Sequence, residues 1–201
     1  MRASIDREEI LDEALRVFGR LGFRKASISD IVRPLGVGKT AIYHHFPGGK
    51  NEIIDMCLAR EEQAILDEMH AAVNGCEDPR EQLRAMIVAK YEHVQGLRSV
   101  MEVTGEVGYE INRLYQEHER SFISEEESRI ADILERGQEM GIFRSGSPQR
   151  LAGCLRALFA RYDFDIAFGV NDKFIQDQFD MVLDLIFHGL VVAEQCEGDL
   201  S

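Results

Sequence analysis

The run KTAIYHH at residues 39–45 brings ammonium, hydroxyl, phenol and imidazole groups together in one short stretch of chain. Ile42 and Phe46 are four residues apart, so they are predicted to face inward and to leave the polar side chains on the outer face of a helix. Lysine can donate to a guanine edge, threonine and alanine can meet thymine methyls, and tyrosine and histidine can bond phosphate. The residues predicted to contact nucleic acid on this face are Lys39, Thr40, Ala41, Tyr43 and His44.

Further groups flank this run at positions predicted to begin helices. Helix N-termini present amide donors and a partial positive charge, so Ser27, Ser29 and Lys50 are predicted to hold phosphates. His45 could contact a phosphate or help to cap its own helix, and the sequence does not decide between these roles. Neighbouring residues on a helix point about a hundred degrees apart, so the pair His44 and His45 does not predict a metal site.

The elements that would position these residues are two short helices joined by a tight turn. Ile28, Ile31, Val32 and Leu35 recur at helical spacing, and Ser27 followed three residues later by Asp30 predicts a capped start. Gly36 is expected to end this helix in the left-handed conformation, and a second helix is predicted to start near Lys39. The arrangement predicts a helix-turn-helix that reads DNA.

These residues resemble the DNA-binding domain of the TetR family of bacterial transcriptional regulators. The likeness rests on LGFRKASISDIV and GVGKTAIYHHFPGGKNEI, while Val32, Pro34 and Leu35 depart from the family's usual pattern. It implies an N-terminal helix-turn-helix domain over residues 1–50 and a helical ligand-binding and dimerisation domain over residues 51–201. It also implies that the chain binds a palindromic operator as a dimer, most simply as a repressor, and is released by a small molecule.

The charge distribution agrees with a nucleic-acid partner, although the total charge does not. The chain has a net charge of −13 and an isoelectric point near 4.9. Residues 14–50 nevertheless hold seven basic residues and one acidic residue, a balance of +6, while residues 51–201 hold 14 basic and 30 acidic residues, a balance of −16. A basic head on an acidic body would turn the head toward phosphates.

The rest of the chain predicts an all-α protein. A first helix is expected over residues 6–21, a long helix from about residue 49 to residue 74 that links the two domains, and further helices from residues 79, 110, 148 and 172. The last two, over residues 148–169 and 172–195, are apolar over wide arcs and need partners on two sides. A second copy of the same pair across a two-fold axis would supply one partner, which predicts a homodimer.

The resemblance also implies an effector pocket in the body. Residues on predicted inward faces could line it, although for any one of them an ordinary core is the favoured interpretation. These residues are Met86, Lys90, His93, Met101, His118, Phe122, Phe159 and Tyr162. The sequence identifies neither the effector nor the operator.

Other function classes find less support in the sequence. No nucleophile elbow, phosphate loop or metalloprotease motif is present, so we expect a regulator that is not an enzyme and has no catalytic residue, metal ligand or cofactor. The four cysteines, Cys57, Cys76, Cys154 and Cys196, form no CxxC pair, yet oxidation of one of them could release DNA in a redox-sensing alternative. No apolar run is long enough for a membrane span and no signal peptide is apparent, so a cytoplasmic location is expected.

Overall fold

A computed structural model of the chain describes residues 5–101, 113, 120–167 and 172–191. Within these ranges the chain forms eight helices and no strand, which confirms the predicted all-α fold. The helices are α1 (Arg7–Leu21), α2 (Ile28–Leu35), α3 (Lys39–His45), α4 (Lys50–Val73), α5 (Pro79–Met101), α6 (Arg120–Glu139), α7 (Pro148–Ala167) and α8 (Asp172–Leu190). Most of the segment predicted to begin the helix from residue 110 lies outside the described residues.

The ends of the first helices are set by local capping groups. Asp6 caps α1 and forms a capping box with Glu9, so that each satisfies amides the helix leaves open. Ser27 and Asp30 form the equivalent box at the start of α2. Gly36 ends α2 with φ 64°, a left-handed conformation that most side chains disfavour. These interactions between near neighbours make the predicted helix-turn-helix form where the sequence indicates.

The first three helices and the start of α4 share one hydrophobic core, here called the head core. Its fully buried members include Ile10 and Phe18 of α1, Ile31 of α2, Ile42 of α3 and Ile53 of α4. Short helices such as α2 and α3 are marginal alone, so packing onto α1 and α4 holds them in place. Leu97 of α5 also packs against this core.

The long helix α4 contributes to two cores in succession. Ile53, Ile54, Cys57 and Leu58 belong to the head core, whereas Ile65, Leu66 and Met69 belong to a second cluster, here called the body core. The change from one core to the other thus occurs within a continuous helix, between residues 58 and 65. The domain division at residue 50 stays a prediction.

The body core is formed by α4, α5, α6, α7 and α8. Its buried residues include Leu83 of α5, Leu134 of α6, Ala152 of α7 and Leu183 of α8. Helix α5 lies against α4, α6 and α7, and α8 packs on α7. The arrangement leaves part of the outer surface of α7 and α8 without a partner in the described part of the chain, since Leu158, Met181 and Leu185 are exposed.

The end of α8 differs from the prediction. The sequence predicted a helix to about residue 195, but α8 ends at Leu190. Val191 instead forms an isolated antiparallel bridge with Phe143, and the Arg144 amide donates to the Leu190 carbonyl at 2.9 Å. The Leu190 carbonyl, which could have accepted a hydrogen bond in a longer helix, thus accepts from the turn after α6. Residues 192–195 of the predicted helix lie outside the described residues.

In the turn after α6, the Phe143 ring lies close to the backbone of Gly137. A Cβ added at Gly137 would lie 2.1 Å from the Phe143 ring, so glycine is what lets this buried ring lie on the helix. Within the described ranges, no helix is both long and apolar enough to cross a membrane.

Candidate functional site

Helix α3 carries its polar side chains on the face turned away from the head core. Ile42 and Phe46 are fully buried, and they fix the rotation of the helix about its axis. Tyr43 is 50% exposed. Lys39, Thr40 and His44 are exposed as well, while Ala41 and His45 are half-buried at the edges of this face. The four-residue spacing of Ile42 and Phe46 thus corresponds to the buried face of α3. The DNA contacts of the opposite face stay predictions.

Tyr43 lies against the start of α4. A Cβ added at Gly49 would be 3.2 Å from Cε1 of the Tyr43 ring, and Gly49 itself adopts φ +65°. Any larger residue at position 49 would therefore strain the backbone and push the ring away. The ring of His45 lies 5.5 Å from that of His44 and 6.5 Å from that of Phe46, so His45 packs along the helix. This contact leaves both of its predicted roles open.

The N-terminus of α2 is closed by its own side chains. The Ser27 hydroxyl donates to Asp30 Oδ2 at 2.5 Å, and the Ser27 amide donates to the same oxygen at 3.0 Å. The hydrogen bond from the Ser27 side chain is the main reason why the pKa of Asp30 is lowered. A hydroxyl has one proton to donate, so Ser27 can bind a phosphate as a donor only by leaving Asp30. Ser29, the second residue of α2, is half-buried.

Lys50 is at the start of α4 as predicted, but its ammonium is turned toward the protein. Nζ donates to the Phe23 carbonyl at 2.7 Å and to the Ala26 carbonyl at 2.9 Å, and it lies 4.4 Å from the centre of the Phe23 ring. The predicted phosphate contact of Lys50 is untested. The geometry gives the ammonium other partners, which the sequence prediction missed because they are more than twenty residues away in the chain.

Basic side chains surround this surface. Arg20, Arg24, Lys25, Arg33 and Lys39 are all exposed. The Arg33 guanidinium approaches Asp30 at 3.8 Å, a long contact on the surface that leaves most of its charge to solvent. The local excess of positive charge deduced from the sequence is therefore present on the outside of the head, where it can act on a polyanion.

An arginine of α4 binds this helix to α1. Arg60 contacts Glu8 at 3.1 Å and Asp12 at 2.8 Å on α1, and it contacts its neighbour Glu61 at 3.1 Å. Burial lowers the pKa of Arg60, but the carboxylates raise it by more, so the guanidinium stays charged. Sequence analysis did not single out this residue. An arginine between the apolar positions Cys57 and Leu58 and the acid Glu61 gave no distinctive signal.

His93 of α5 lies between two carboxylates of α4. Its Nδ1 is 3.1 Å from Glu68 Oε2 and its Nε2 is 3.6 Å from Glu61 Oε2. Burial lowers the pKa of His93, but the contacts with Glu61 and Glu68 outweigh burial and raise it above its ordinary value. The predicted inward orientation of His93 agrees with its side chain being only 9% exposed. Its contacts are with α4, and it does not line the cavity described next.

The body core encloses a small cavity beside a buried ion pair. Lys90 Nζ lies 2.7 Å from Glu126 Oε1, and both side chains are buried. The cavity has a volume of about 10 Å³, room for about one water molecule. Its lining residues are Met69, Ile87, Lys90, Glu126, Ile130, Leu155, Arg156 and Phe159. Lys90 and Phe159 line this cavity, whereas Met86 and Phe122 belong to the surrounding core, and the role of all four in an effector pocket stays a prediction.

Four aromatic rings fill the space next to this cavity. Phe179 of α8 stacks on Tyr91 with ring centres 4.1 Å apart and contacts Phe159 at 5.4 Å and Tyr162 at 5.8 Å. Tyr162 and Phe159, predicted to line a pocket, here pack against each other and against Phe179. For these rings the alternative of an ordinary core describes the geometry.

Two predicted pocket residues cannot be placed. His118 lies outside the described residues, and for Met101 only the backbone is described. The sequence also missed Glu126, although Phe122, Glu126 and Ile130 follow at intervals of four and so mark an acid within an apolar stripe. This spacing indicates that Glu126 lies on the buried face of its helix.

The thiols and possible metal ligands can be described for part of the chain. Burial raises the pKa of Cys57 to about 12, so this thiol is protonated at neutral pH. Cys76 is half-buried, Cys154 is exposed on α7, and Cys196 lies outside the described residues. Where the structure describes the chain, no group of three or more His, Cys, Asp or Glu side chains could hold a metal ion.

Comparison with known proteins identifies the head. Residues 10–57 match the family described as bacterial regulatory proteins, tetR family. LmrA, an HTH-type transcriptional regulator of Bacillus subtilis (strain 168), is 30% identical over 81 residues, which are 40% of this chain and 43% of LmrA. KstR2, an HTH-type transcriptional repressor of Rhodococcus jostii (strain RHA1), is 26% identical over 150 residues, which are 73% of this chain and 72% of KstR2.

Solved structures extend the likeness to the fold of the body. The structure of SmeT, the repressor of the Stenotrophomonas maltophilia multidrug efflux pump SmeDEF, superposes with a TM-score of 0.74 and 22% identity. That superposition covers 94% of this chain and 92% of SmeT. These relatives are named as transcriptional regulators and repressors, which confirms the prediction of a regulator that is not an enzyme. Residues 10–57 thus form a domain of the tetR family of bacterial regulatory proteins, and nearly the whole chain shares the helical fold of SmeT.

Proposed function

We propose that the protein is a repressor that binds a palindromic operator as a homodimer and leaves it when a small molecule binds the body. The observation that carries the DNA part is the outer face of α3, where Lys39, Thr40, Tyr43 and His44 are exposed while Ile42 is buried. A helix of seven residues is about 10 Å long and fits a major groove. Such a regulator works beside the chromosome, in the cytoplasm.

Recognition by one such helix is too limited to select an operator. Seven residues can reach only a few base edges, and a useful specificity ratio needs a second copy at a fixed spacing. Two heads on a two-fold axis would address successive major grooves about one helical turn apart or more. The proposed contacts are Lys39, Thr40 and Ala41 to base edges and Tyr43, His44 and His45 to phosphates, with Ser27 and Ser29 at the neighbouring phosphate.

The surface that supports dimerisation is on α7 and α8. Leu158 is 43% exposed, Met181 65% and Leu185 64%, and Met181 and Leu185 are one turn apart on α8. Isolated exposed leucines are ordinary, but several on two adjacent helices favour a partner. A second copy of α7 and α8 would cover them in a four-helix arrangement.

The effector site is proposed for the body core around Lys90 and Glu126. A cavity of about 10 Å³ holds no metabolite, so binding requires the surrounding helices to move apart. The bulk of such a ligand would have to displace part of the packing between α5, α6 and α7. Because α4 contributes to both cores, such a shift can reach the head.

A selection of duplexes from a random-sequence pool tests the DNA proposal. We expect the wild-type protein to enrich a palindrome and Tyr43→Phe to weaken binding to that duplex about tenfold, since one hydrogen bond to a charged phosphate is lost. Tyr91→Phe is the matched control, because it removes a phenol hydroxyl from the body. A wild-type protein that retains no duplex would refute the proposal. Repeating the selection with candidate metabolites identifies effectors as compounds that release the palindrome.

Light scattering after size exclusion tests the dimer. We expect a dimer for the wild type and a monomer for Met181→Glu, because a buried, unpaired carboxylate opposes association. Met140→Glu is the control, since Met140 is 62% exposed and directly follows α6, which is not one of the two helices of the proposed interface. A wild-type monomer at micromolar concentration would contradict this part of the proposal.

A further inference from the structure

We propose that Lys50 is a positioning residue of the DNA-binding face, which fastens the turn between α1 and α2 to the start of α4 and binds no phosphate itself. The inference depends on the proposed DNA function for its consequence, but its geometry concerns the free protein. It assigns Lys50 a role different from the phosphate contact expected from its place at a helix N-terminus.

Protein groups surround the Lys50 ammonium. An ammonium has three donors, and two of them go to the Phe23 and Ala26 carbonyls at 2.7 and 2.9 Å. The face of the Phe23 ring lies 4.4 Å away and attracts the remaining positive charge. A phosphate could reach this ammonium only by displacing one of these partners, and the displaced carbonyl would then lose its hydrogen bond.

Lys50 holds the turn between α1 and α2. The turn is closed by the Ala26 amide, which donates to the Gly22 carbonyl at 3.0 Å. Ala26 is buried, and the next residue is Ser27, the cap of α2. A bond to the Ala26 carbonyl therefore fixes the distance between the first residue of α4 and the start of α2.

The hydrogen bonds of Lys50 to this turn, here called the brace, are next to a residue that lies beside α3. Gly49, the residue before Lys50, is buried and is in contact range of the Tyr43 ring. Two successive residues thus lie beside both DNA-facing elements, Gly49 beside the Tyr43 ring and Lys50 at the turn before α2. If the ammonium is lost, the start of α2 and the outer face of α3 are no longer held at one fixed separation.

The test compares Lys50→Met, Lys50→Arg and Lys25→Met in the full-length protein. Methionine keeps the length and loses the charge, whereas arginine keeps the charge. The planar guanidinium is larger than an ammonium and does not fit between two carbonyls and a ring at these distances. Lys25→Met removes one charge from the same turn, where the Lys25 side chain is exposed, and so reports the general electrostatic effect.

The DNA readout is the affinity for a duplex selected by the wild-type protein, measured at several salt concentrations. We expect Lys50→Met and Lys50→Arg to bind at least tenfold more weakly than Lys25→Met at every salt concentration. Their plots of log affinity against log salt should run parallel to that of Lys25→Met. A direct phosphate contact would instead make the slope for Lys50→Met shallower than that for Lys25→Met by about 0.9, and Lys50→Arg would bind like the wild type. Either result would overturn the proposal.

The second readout needs no DNA. Amide hydrogen exchange at Ala26 and Ser27 should become at least fivefold faster in Lys50→Met and Lys50→Arg and stay unchanged in Lys25→Met. Unchanged exchange in both Lys50 variants would refute the brace even if DNA binding fell. If the wild-type protein retains no duplex while exchange accelerates as expected, the proposed DNA function fails and the brace itself stands.

Discussion

The head core and the body core differ in what they bury. Among the described residues, the buried charged side chains are Glu61, Lys90 and Glu126, and none of them belongs to the head core. The head core consists of aliphatic and aromatic side chains with one inert thiol, Cys57. The body core contains an ion pair, a water-sized cavity and a cluster of aromatic rings. Both cores consist mainly of apolar side chains, but the body core also contains buried charge.

This difference corresponds to two tasks. A close-packed apolar core has few alternative arrangements, which suits a head that must present α3 in one orientation. A buried ion pair is costly to desolvate, so other packings of the same helices can be close to it in free energy. A body with such alternatives can respond to a ligand by changing its packing. The comparison leads to three predictions, which concern the body, the head and their junction.

The largest effect is expected from breaking the buried pair in the body. Removing Glu126 alone, as in Glu126→Leu, leaves the Lys90 ammonium buried without its carboxylate and should lower the free energy of unfolding by about 3–5 kcal/mol. The double variant Lys90→Met with Glu126→Leu should lie within about 1 kcal/mol of the wild type, because both charges of the pair are removed together. Urea denaturation measures both. A double variant as unstable as the single one would show that the pair is a net source of stability.

An intermediate effect is expected from truncating the head core. Ile31→Ala should cost about 2–4 kcal/mol, because Ile31 is fully buried and the surrounding side chains cannot fill the space it leaves. Its effect should add to that of Leu134→Ala in the body core, since the two sites share no packing partner. Urea denaturation of the two single variants and the double variant measures this. A deviation from additivity above about 1 kcal/mol would argue against two separate cores.

The smallest effect is expected from His93, where the body core approaches the head. A raised pKa in the folded state means that protonated His93 stabilises the fold fully below its ordinary pKa and that this contribution is lost as pH rises through the raised value. Glu61, whose pKa is lowered, stays ionised across this range. We expect His93→Gln to remove a fall in stability of up to about 1 kcal/mol. Denaturation between pH 6 and 9 would detect it, and identical pH profiles for both proteins would contradict it.

The head could be predicted well because its signals are local. Asp6, Ser27 and Gly36 define helix ends through residues no more than four positions away, and Ile42 with Phe46 defines the face of α3. The body offered fewer such signals. Lys90 and His93 were predicted to face inward, and their side chains are largely buried, but the sequence gave no means of finding their partners Glu126, Glu61 and Glu68.

The contacts that the sequence did not indicate share a physical origin. Lys50 was assigned by its position at a helix start, whereas its contacts come from a turn that folds back from α1. Tyr162 was expected to line a pocket, and the sequence did not indicate that Phe179 of α8 packs against it and against Phe159. In each instance the deciding neighbour is far away in the chain, and residue spacing within one helix carries no information about it.

The continuous helix α4 has a consequence for how heads and bodies could be exchanged during evolution or in the laboratory. A chimaera joined at residue 50 would separate Ile53, Ile54, Cys57 and Leu58 from the core they complete. A junction between residues 58 and 65 keeps the α4 residues of each core together, and it requires matching of the contacts of Arg60 with Glu8 and Asp12 and of the packing of Leu97 of α5 against the head core. The segment that must be kept together for the head to fold therefore extends beyond the helix-turn-helix into the first two turns of α4.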